Sequence, residues 1–253
     1  MSEEKKFVAS AEAKGKAKQF RAIAVVLWLL GVGMQIWAIT ELFKDPITMW
    51  LIITLLVIDL ALVITGSLLW KKSNKLDPPT EERKFLFFMQ SQLGLFTAIV
   101  AFLPFIIFLL TNKNIDKKQK AILGGIAGAA LLIAGFVGFD FNPASVEKYT
   151  EEMNKDRELV EDLIGQDHVF WATTAGKKLH LYEDCQHIRN SIIGEGTVKE
   201  AWEQNKIEKS DICKTCIKRA EKNKGEESTN ILEKGQEVLE GVIADEELEV
   251  VED

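Results

Sequence analysis

The chain has 253 residues and a formal net charge of −7, and 47% of its residues are hydrophobic. This average conceals two unlike halves, because residues 1–139 carry 16 basic and 10 acidic side chains whereas residues 140–253 carry 15 and 28. A second half this acidic argues against nucleic-acid binding, which needs clustered positive charge, and three cysteines are too few for a secreted disulfide scaffold. The basic half is also the apolar half, so the sequence predicts a membrane-embedded part followed by an acidic part in water.

After a basic arm at 1–21, four apolar stretches reach the roughly 20 residues that a helix needs to cross a hydrocarbon core of about 30 Å. They predict a transmembrane domain of four helices, at residues 22–43, 47–70, 85–110 and 121–139. The link between the first two stretches is so short that these helices must form an antiparallel hairpin. We therefore expect a multi-pass protein of the cell membrane, in contact with a lipid bilayer and typical of a bacterial inner membrane.

Basic residues beside the stretches predict the orientation, because cytoplasmic loops carry an excess of Lys and Arg. The N-terminal arm has six such residues, the first loop has Lys44 alone and the second loop has five, which places the N-terminus and the second loop in the cytoplasm. An even number of spans then places the C-terminus there too. The third loop is an exception, since four lysines fall on the predicted outer side: Lys113, Lys117, Lys118 and Lys120.

Asp59 lies at the middle of the second stretch, where an ionised carboxylate costs about 3 kcal/mol. None of the four stretches contains a Lys, Arg or His that could pair with it. One interpretation is a proton or cation site in a transport pathway. The other, which we favour from the sequence, is a neutral packing residue that forms a hydrogen bond to Gln35, at similar depth in the first stretch.

Small residues in the fourth stretch indicate close helix packing. Gly124 and Gly128 form one small-xxx-small pair, and Gly125 and Ala129 form another, in the spacing that lets helix backbones approach each other in lipid. Such packing occurs either within one bundle or between copies of the chain, so the pattern is compatible with a homo-oligomer. Pro104 is expected to kink the third helix.

Two polar segments flank the remaining domain, which covers 166–224. A connector helix is predicted over 142–165, with Asn142 as its cap and apolar residues at three- and four-residue spacing. The tail at 225–253 has 11 acidic residues and one basic residue, a composition typical of a disordered segment that folds on a partner. We expect a protein partner to bind either this tail or the domain before it.

That domain is predicted to contain short strands and short helices. Two strand-like segments around an Ala175-Gly176 turn indicate a β-hairpin, and the pattern from Thr197 to Glu200 indicates a capping box at the start of a helix. The fold class predicted for the chain is therefore an α-helical membrane protein with four transmembrane helices, followed by a small α+β domain like a zinc finger.

All three cysteines and two of the three histidines fall in this domain. Cys213 and Cys216 have the C-x-x-C spacing of half a zinc site, because a tight turn presents both sulfurs to one ion. Cys185 supplies a third thiolate, and a tetrahedral site then needs one more ligand, which either His180 or His187 can give. A structural zinc ion would also stabilise a domain that is too small for a large core.

The segments TTAGKKLHLYEDCQHIRNS, GTVKEAWEQNK and DICKTC resemble a small bacterial zinc-binding module with one histidine and three cysteines. They are similar to the metal-binding region of Ada-type DNA repair proteins, which use four cysteines. The resemblance covers about residues 168–220, with Leu179 at the position where the module usually has an aromatic residue. It places the histidine of the module at His180, and it implies a binding or structural zinc site with no particular reaction.

Two other chemistries of the cysteines are weaker hypotheses. A redox C-x-x-C is typical of a thioredoxin-like βαβ unit, which the sequence lacks, and a catalytic thiol at Cys185 conflicts with three thiols in zinc spacing. A filled ligand set leaves no position for a catalytic water, so we predict no enzymatic activity. The favoured function is a membrane protein that displays a cytoplasmic zinc domain for interaction or sensing. The alternative is a small transporter or channel with Asp59 in its pathway and a regulatory zinc domain.

Overall fold

A computed structural model describes residues 6–173, 178–204 and 211–225 of the chain. Within them the chain divides into two compact units, one formed mainly by residues 6–150 and the other mainly by 151–202 with 211–225. The predicted Ala175-Gly176 turn and almost all of the predicted acidic tail lie outside the described residues. The domain boundaries drawn from the sequence remain predictions.

The first unit consists of helices, and four of them are long and apolar enough to cross a membrane. These four are α1 (Ala11–Glu41), α2 (Met49–Leu76), α4 (Leu93–Thr111) and α5 (Lys117–Gly138), and a short α3 (Lys84–Ser91) precedes α4. The predicted fold class is confirmed: a mostly helical chain with four helices of membrane length, followed by a small domain with short strands and a His/Cys cluster.

Helix α1 begins earlier than the apolar pattern suggests. It starts at Ala11 within the basic arm, because the Ser10 side chain accepts a hydrogen bond from the Ala13 N–H and the following Ala, Lys and Gln residues favour a helix. The Arg21 guanidinium then donates to the Asp77 carboxylate at 3.0 Å and to the Asp77 carbonyl oxygen at 2.8 Å. The polar part of α1 is thus tied to the end of α2.

The third apolar stretch is two helices and not one. The break falls at Gln92, whose side-chain amide donates to the Asp140 carbonyl oxygen and accepts from the Asp140 N–H, both at 2.9 Å. This reciprocal pair links the start of α4 to the chain just after α5. Pro104 lies inside α4, and the kink expected at this residue stays a prediction.

Small residues let the helices of this unit approach each other closely. A Cβ on Gly66 of α2 would lie 2.5 Å from the Trp28 indole of α1, and a Cβ on Gly138 of α5 would lie 2.6 Å from the Gly94 backbone of α4. By contrast, Gly125 and Gly128 of α5 have open space where a Cβ would stand. Each of these two glycines belongs to one of the predicted small-residue pairs. Neither glycine makes a close helix contact within one chain.

Helix α6 (Val146–Ile164) starts four residues after Asn142. Ser145 is its cap, since its hydroxyl accepts from the Lys148 N–H at 3.1 Å. Gly165 ends the helix with a φ of 74°, a left-handed conformation that glycine adopts without steric cost.

Besides most of α6, the described residues of the second unit form four short strands and two helices. The strands are β1 (Val169–Ala172), β2 (Lys178–Leu179), β3 (Ile193–Gly196) and β4 (Asp211–Ile212), and the helices are α7 (Val198–Glu203) and α8 over 214–225. Strands β1 and β3 pair antiparallel, and β2 pairs parallel with β4. The predicted capping box is present, because Glu200 accepts from the Thr197 N–H at 2.8 Å while Thr197 Oγ1 accepts from the Glu200 N–H at 3.2 Å.

Candidate metal centre

Four side chains of the second unit converge on one small buried volume. They are His180, Cys185, Cys213 and Cys216, and one potential ligand atom from each lies within 4.8 Å of the others. All four residues are buried, with exposed fractions of 6% or less. Sulfur and imidazole nitrogen at these separations can surround a single ion, so the cluster could hold a metal ion.

His180 is held by the sheet. It follows β2 directly and exchanges both backbone hydrogen bonds with Phe170 of β1, each at 2.8 Å. This bridge is the part of the predicted hairpin that falls within the described residues. It directs the imidazole into the unit, where Nδ1 lies 3.2 Å from Cys185 Sγ and 3.8 Å from Cys216 Sγ.

Cys185 is held by a compact turn. Its N–H donates to the Tyr182 carbonyl oxygen at 3.2 Å, and its own carbonyl oxygen accepts from the N–H groups of Ile188 and Arg189 at 3.0 and 3.1 Å. The backbone around Cys185 is therefore fixed on both sides, which gives the sulfur a defined position.

Cys213 and Cys216 are presented by the junction between β4 and α8. The Cys213 N–H donates to the Leu179 carbonyl oxygen at 2.8 Å, which aligns the junction with the strand that leads to His180. The Cys213 carbonyl oxygen accepts from the Ile217 N–H at 3.0 Å, so α8 begins immediately after this cysteine. The two sulfurs thus lie at a helix N-terminus, where the backbone N–H groups favour negative charge.

The surroundings of the two C-x-x-C thiols act on them in opposite directions. Burial raises the pKa of Cys213, but hydrogen bonds from the backbone N–H groups of Cys216 and Thr215, with contacts to the other thiols, outweigh burial and lower it overall. For Cys216, burial is the largest cause and the neighbouring Cys185 and Cys213 add to it, so its pKa is raised to about 12. A cation bound beside Cys216 would oppose this rise and favour its thiolate form.

His187, the alternative ligand, is outside this cluster. Its side chain is exposed, its Nε2 lies 3.1 Å from Thr215 Oγ1, and its ring centroid lies 6.4 Å from that of His180. The structure therefore brings His180 together with the three cysteines and leaves His187 at the rim.

Two residues that the sequence did not single out connect the elements bearing the ligands. Arg219 of α8 donates to Asp184 at 2.7 Å, and its guanidinium stacks over the Tyr182 ring at 4.2 Å. Asp184 precedes Cys185, and Arg219 follows Cys216 by three residues, so this contact links the turn of one cysteine to the helix of another. The only trace of this ion pair in the sequence is that an acidic and a basic residue lie within three positions of cysteines.

The four helices of membrane length contain the other predicted polar site. Asp59 of α2 is fully buried and Gln35 of α1 is 4% exposed. Among the described residues neither side chain has a hydrogen-bond partner, so the predicted hydrogen bond between them is absent. The Asp59 carboxylate instead packs against Gly31, where an added Cβ would stand 2.7 Å from Oδ1.

Comparison with protein-family models, curated proteins and solved structures finds no match to this chain. The similarity to the metal-binding region of Ada-type proteins therefore has no support beyond the residues that suggested it. What the structure adds is the His/Cys cluster itself, together with the four apolar helices that precede it.

Proposed function

We propose that the chain is a non-enzymatic integral membrane protein whose second unit is a structural zinc domain, used for interaction or sensing. The single observation that carries this proposal is the buried convergence of His180, Cys185, Cys213 and Cys216 within 4.8 Å. It occurs in a chain that also has four helices able to span a membrane.

Zinc is the ion that suits this ligand set best. Three thiolates and one imidazole are soft to borderline ligands, and Cys3His is one of the usual tetrahedral sets of structural zinc sites. Oxygen-preferring ions such as Mg²⁺ and Ca²⁺ are disfavoured, because the cluster includes no carboxylate.

A structural role follows from the ligand count. Four protein ligands fill a tetrahedral zinc site, so no position is left for the water or substrate that a catalytic zinc ion binds. Burial of all four ligands supports the same conclusion, since a substrate would have to displace packed side chains. The ion would instead connect β2, the Cys185 turn and the start of α8.

Location and partner complete the proposal. The distribution of Lys and Arg supports a cytoplasmic N-terminus and C-terminus, which would display the zinc domain to cytoplasmic proteins. The acidic composition of the chain after residue 225 suits a partner with a basic face. In this proposal the membrane helices anchor the domain, and the domain or the tail makes the contact.

The test is metal analysis of the full chain, purified in detergent under reducing conditions. We expect one zinc ion per chain, released by a strong chelator together with loss of protection against hydrogen exchange in 169–172 and 193–196, and recovery of both when zinc is returned. Cys213→Ser should abolish zinc binding, whereas Lys214→Ala, an exposed change between the two cysteines, should retain it. A folded, metal-free protein would refute the zinc proposal and favour redox chemistry at the C-x-x-C.

A second candidate function is a small transporter or channel in which the zinc domain is regulatory. The observation in its favour is the buried Asp59 carboxylate, which has no hydrogen-bond partner among the described residues. Ionisable residues inside a membrane often lie on a proton or ion pathway. A proton- or cation-coupled flux in reconstituted vesicles that disappears in Asp59→Asn, with normal expression, would support this function over simple anchoring.

A further inference from the structure

The seam between α1 and α2 contains two buried polar side chains that have no hydrogen-bond partner among the described residues, beside two that have one. Trp28 Nε1 donates to the Val63 carbonyl oxygen at 3.4 Å, and Ser67 Oγ donates to the same oxygen at 2.8 Å. Asp59 and Gln35 differ, because both oxygens of the carboxyl group and both polar atoms of the amide are buried without a partner among the described residues. Buried polar atoms are rarely left so in proteins, least of all in hydrocarbon.

The two side chains lie on the same seam. The Asp59 carboxyl group packs on Gly31, where only the absence of a Cβ leaves it room. Gln35 is one helical turn beyond Gly31 and is buried on the same face of α1. Side chains four residues apart on a helix originate about 5–6 Å from each other, so the amide of Gln35 is a neighbour of the space that the carboxyl group occupies.

The donors and acceptors of this pair match in only one protonation state. A protonated carboxyl group has one O–H donor and one carbonyl acceptor, and a primary amide offers the complement, so each can donate to the other. An ionised carboxylate only accepts, which would leave the Gln35 carbonyl oxygen buried without a donor. A divalent cation such as Ca²⁺ takes about six to eight oxygen ligands, of which the Asp59 carboxylate and Gln35 Oε1 could supply at most three.

We infer that Asp59 and Gln35 form a proton-binding site inside the membrane. In the loaded state, which differs from the described conformation in the rotamers of these two side chains, the Asp59 O–H donates to Gln35 Oε1 and Gln35 Nε2 donates to the Asp59 carbonyl oxygen. When the proton leaves, the carboxylate keeps only the bond from Nε2. The orphaned polar atoms of the structure are the groups that this exchange uses.

No other charged group among the described residues comes close enough to compete. On α1 the nearest are Arg21 and Glu41, each ten residues from Gly31, or about 15 Å along the helix. On α2 the nearest is Lys71, about 18 Å from Asp59, and it donates to the Phe139 carbonyl oxygen. Helix α4 has no titratable residue, and those of α5 are Lys117, Lys118 and Lys120 in its first turn.

This site goes beyond the zinc proposal and is independent of it. It names the ligand that the second candidate function would use at Asp59, but a proton can bind there whether or not the protein transports anything. The experiment therefore measures protonation of Asp59 and not flux. The proton-binding site and the transport function can then fail independently of each other.

The probe is dicyclohexylcarbodiimide, an apolar reagent that enters membranes and modifies protonated carboxyl groups. The full chain in lipid vesicles is treated at a series of pH values, and the modified residue is identified by mass spectrometry. We expect modification of Asp59 at acidic and neutral pH and its loss at alkaline pH. Glu41 is the internal control, since it is buried but ion-paired with Lys44 and bonded by Trp37, and it should stay unmodified.

Four results would overturn the inference. No modification of Asp59 at any pH would mean that the carboxyl group is not protonated, and equal modification at every pH would mean that it is a permanently neutral packing residue. Protection by sodium ions at constant pH would identify a metal cation as the ligand. In Gln35→Met, which keeps the length of the side chain but not its polar atoms, the pH midpoint of modification should shift, and an unchanged midpoint would remove Gln35 from the site.

Discussion

Gly194 lies opposite Trp171 in the pairing of β3 with β1, and the Trp171 indole covers it so closely that a Cβ there would stand 2.7 Å from the ring. The indole is itself almost fully buried. A glycine at 194 is thus what permits the central aromatic residue of β1 to lie against β3.

We expect Gly194→Ala to destabilise the second unit by about 1–3 kcal/mol, because the added methyl group must displace a packed indole. Hydrogen exchange of the full chain, read at 169–172 and 193–196, should show faster exchange at both strands. Gly225→Ala is the matched control, since a Cβ there meets no atom within 4 Å. Equal protection in Gly194→Ala and the native chain would contradict the packing described for this pair.

The two histidines of the metal centre should respond differently to removal. His180→Ala takes away a ligand, so it should weaken zinc binding by more than the roughly 10–100-fold that loss of an outer hydrogen-bond partner costs. His187→Ala removes only the contact with Thr215 at the rim and should cost no more than about tenfold. Competition with a chromogenic chelator measures both, and the reverse order would make His187 the fourth ligand.

The glycines of α1 provide a matched pair for the membrane seam. A Cβ on Gly31 would stand 2.7 Å from Asp59 Oδ1, whereas a Cβ on Gly33 meets no atom within 4 Å. Gly31→Ala should therefore lower the thermal stability of the detergent-solubilised protein, by about 1–3 kcal/mol in free energy of unfolding, and Gly33→Ala should leave it unchanged or slightly higher. Similar melting temperatures for the two variants would place Asp59 elsewhere.

Both termini should lie in the cytoplasm. A reporter that is active only outside the cytoplasm, fused after Asp253, should be silent, and a reporter that is active only inside should work at the same position. An opposite result would indicate that the four lysines of the third loop determine the orientation, and replacing them with Gln should then restore the predicted one.

Much of the fold could be predicted, because long apolar helices can be recognised from amino-acid composition alone. The ends of these helices could not. The start of α1 at Ala11 depends on Ser10 and on polar helix formers that carry no hydropathy signal. The break at Gln92 depends on a reciprocal hydrogen-bond pair with Asp140, which is 48 residues away in sequence.

The same distinction applies to the second unit. The C-x-x-C of Cys213 and Cys216 is a local pattern, and its place before a helix could be read directly. Strand β3 was missed, since Ile193–Gly196 contains two glycines, and only its pairing with β1 makes it a strand. The geometry of His180 depends likewise on its pairing with Phe170, which spacing alone does not reveal.

The early start of α1 has a mechanical consequence. The helix has 31 residues, so it is about 46 Å long, which exceeds a hydrocarbon core of about 30 Å by about three turns. With the apolar part in lipid, the basic segment from Ala11 to Arg21 is a rigid helical extension and not a flexible linker. The ion pair of Arg21 with Asp77 fixes the end of this extension that is nearer the lipid. A protein or an anionic surface that binds this extension is held at a fixed distance from the hydrocarbon core. Because the helix is continuous, a tilt of the extension also changes the tilt of α1 at Gly31, where it packs on Asp59.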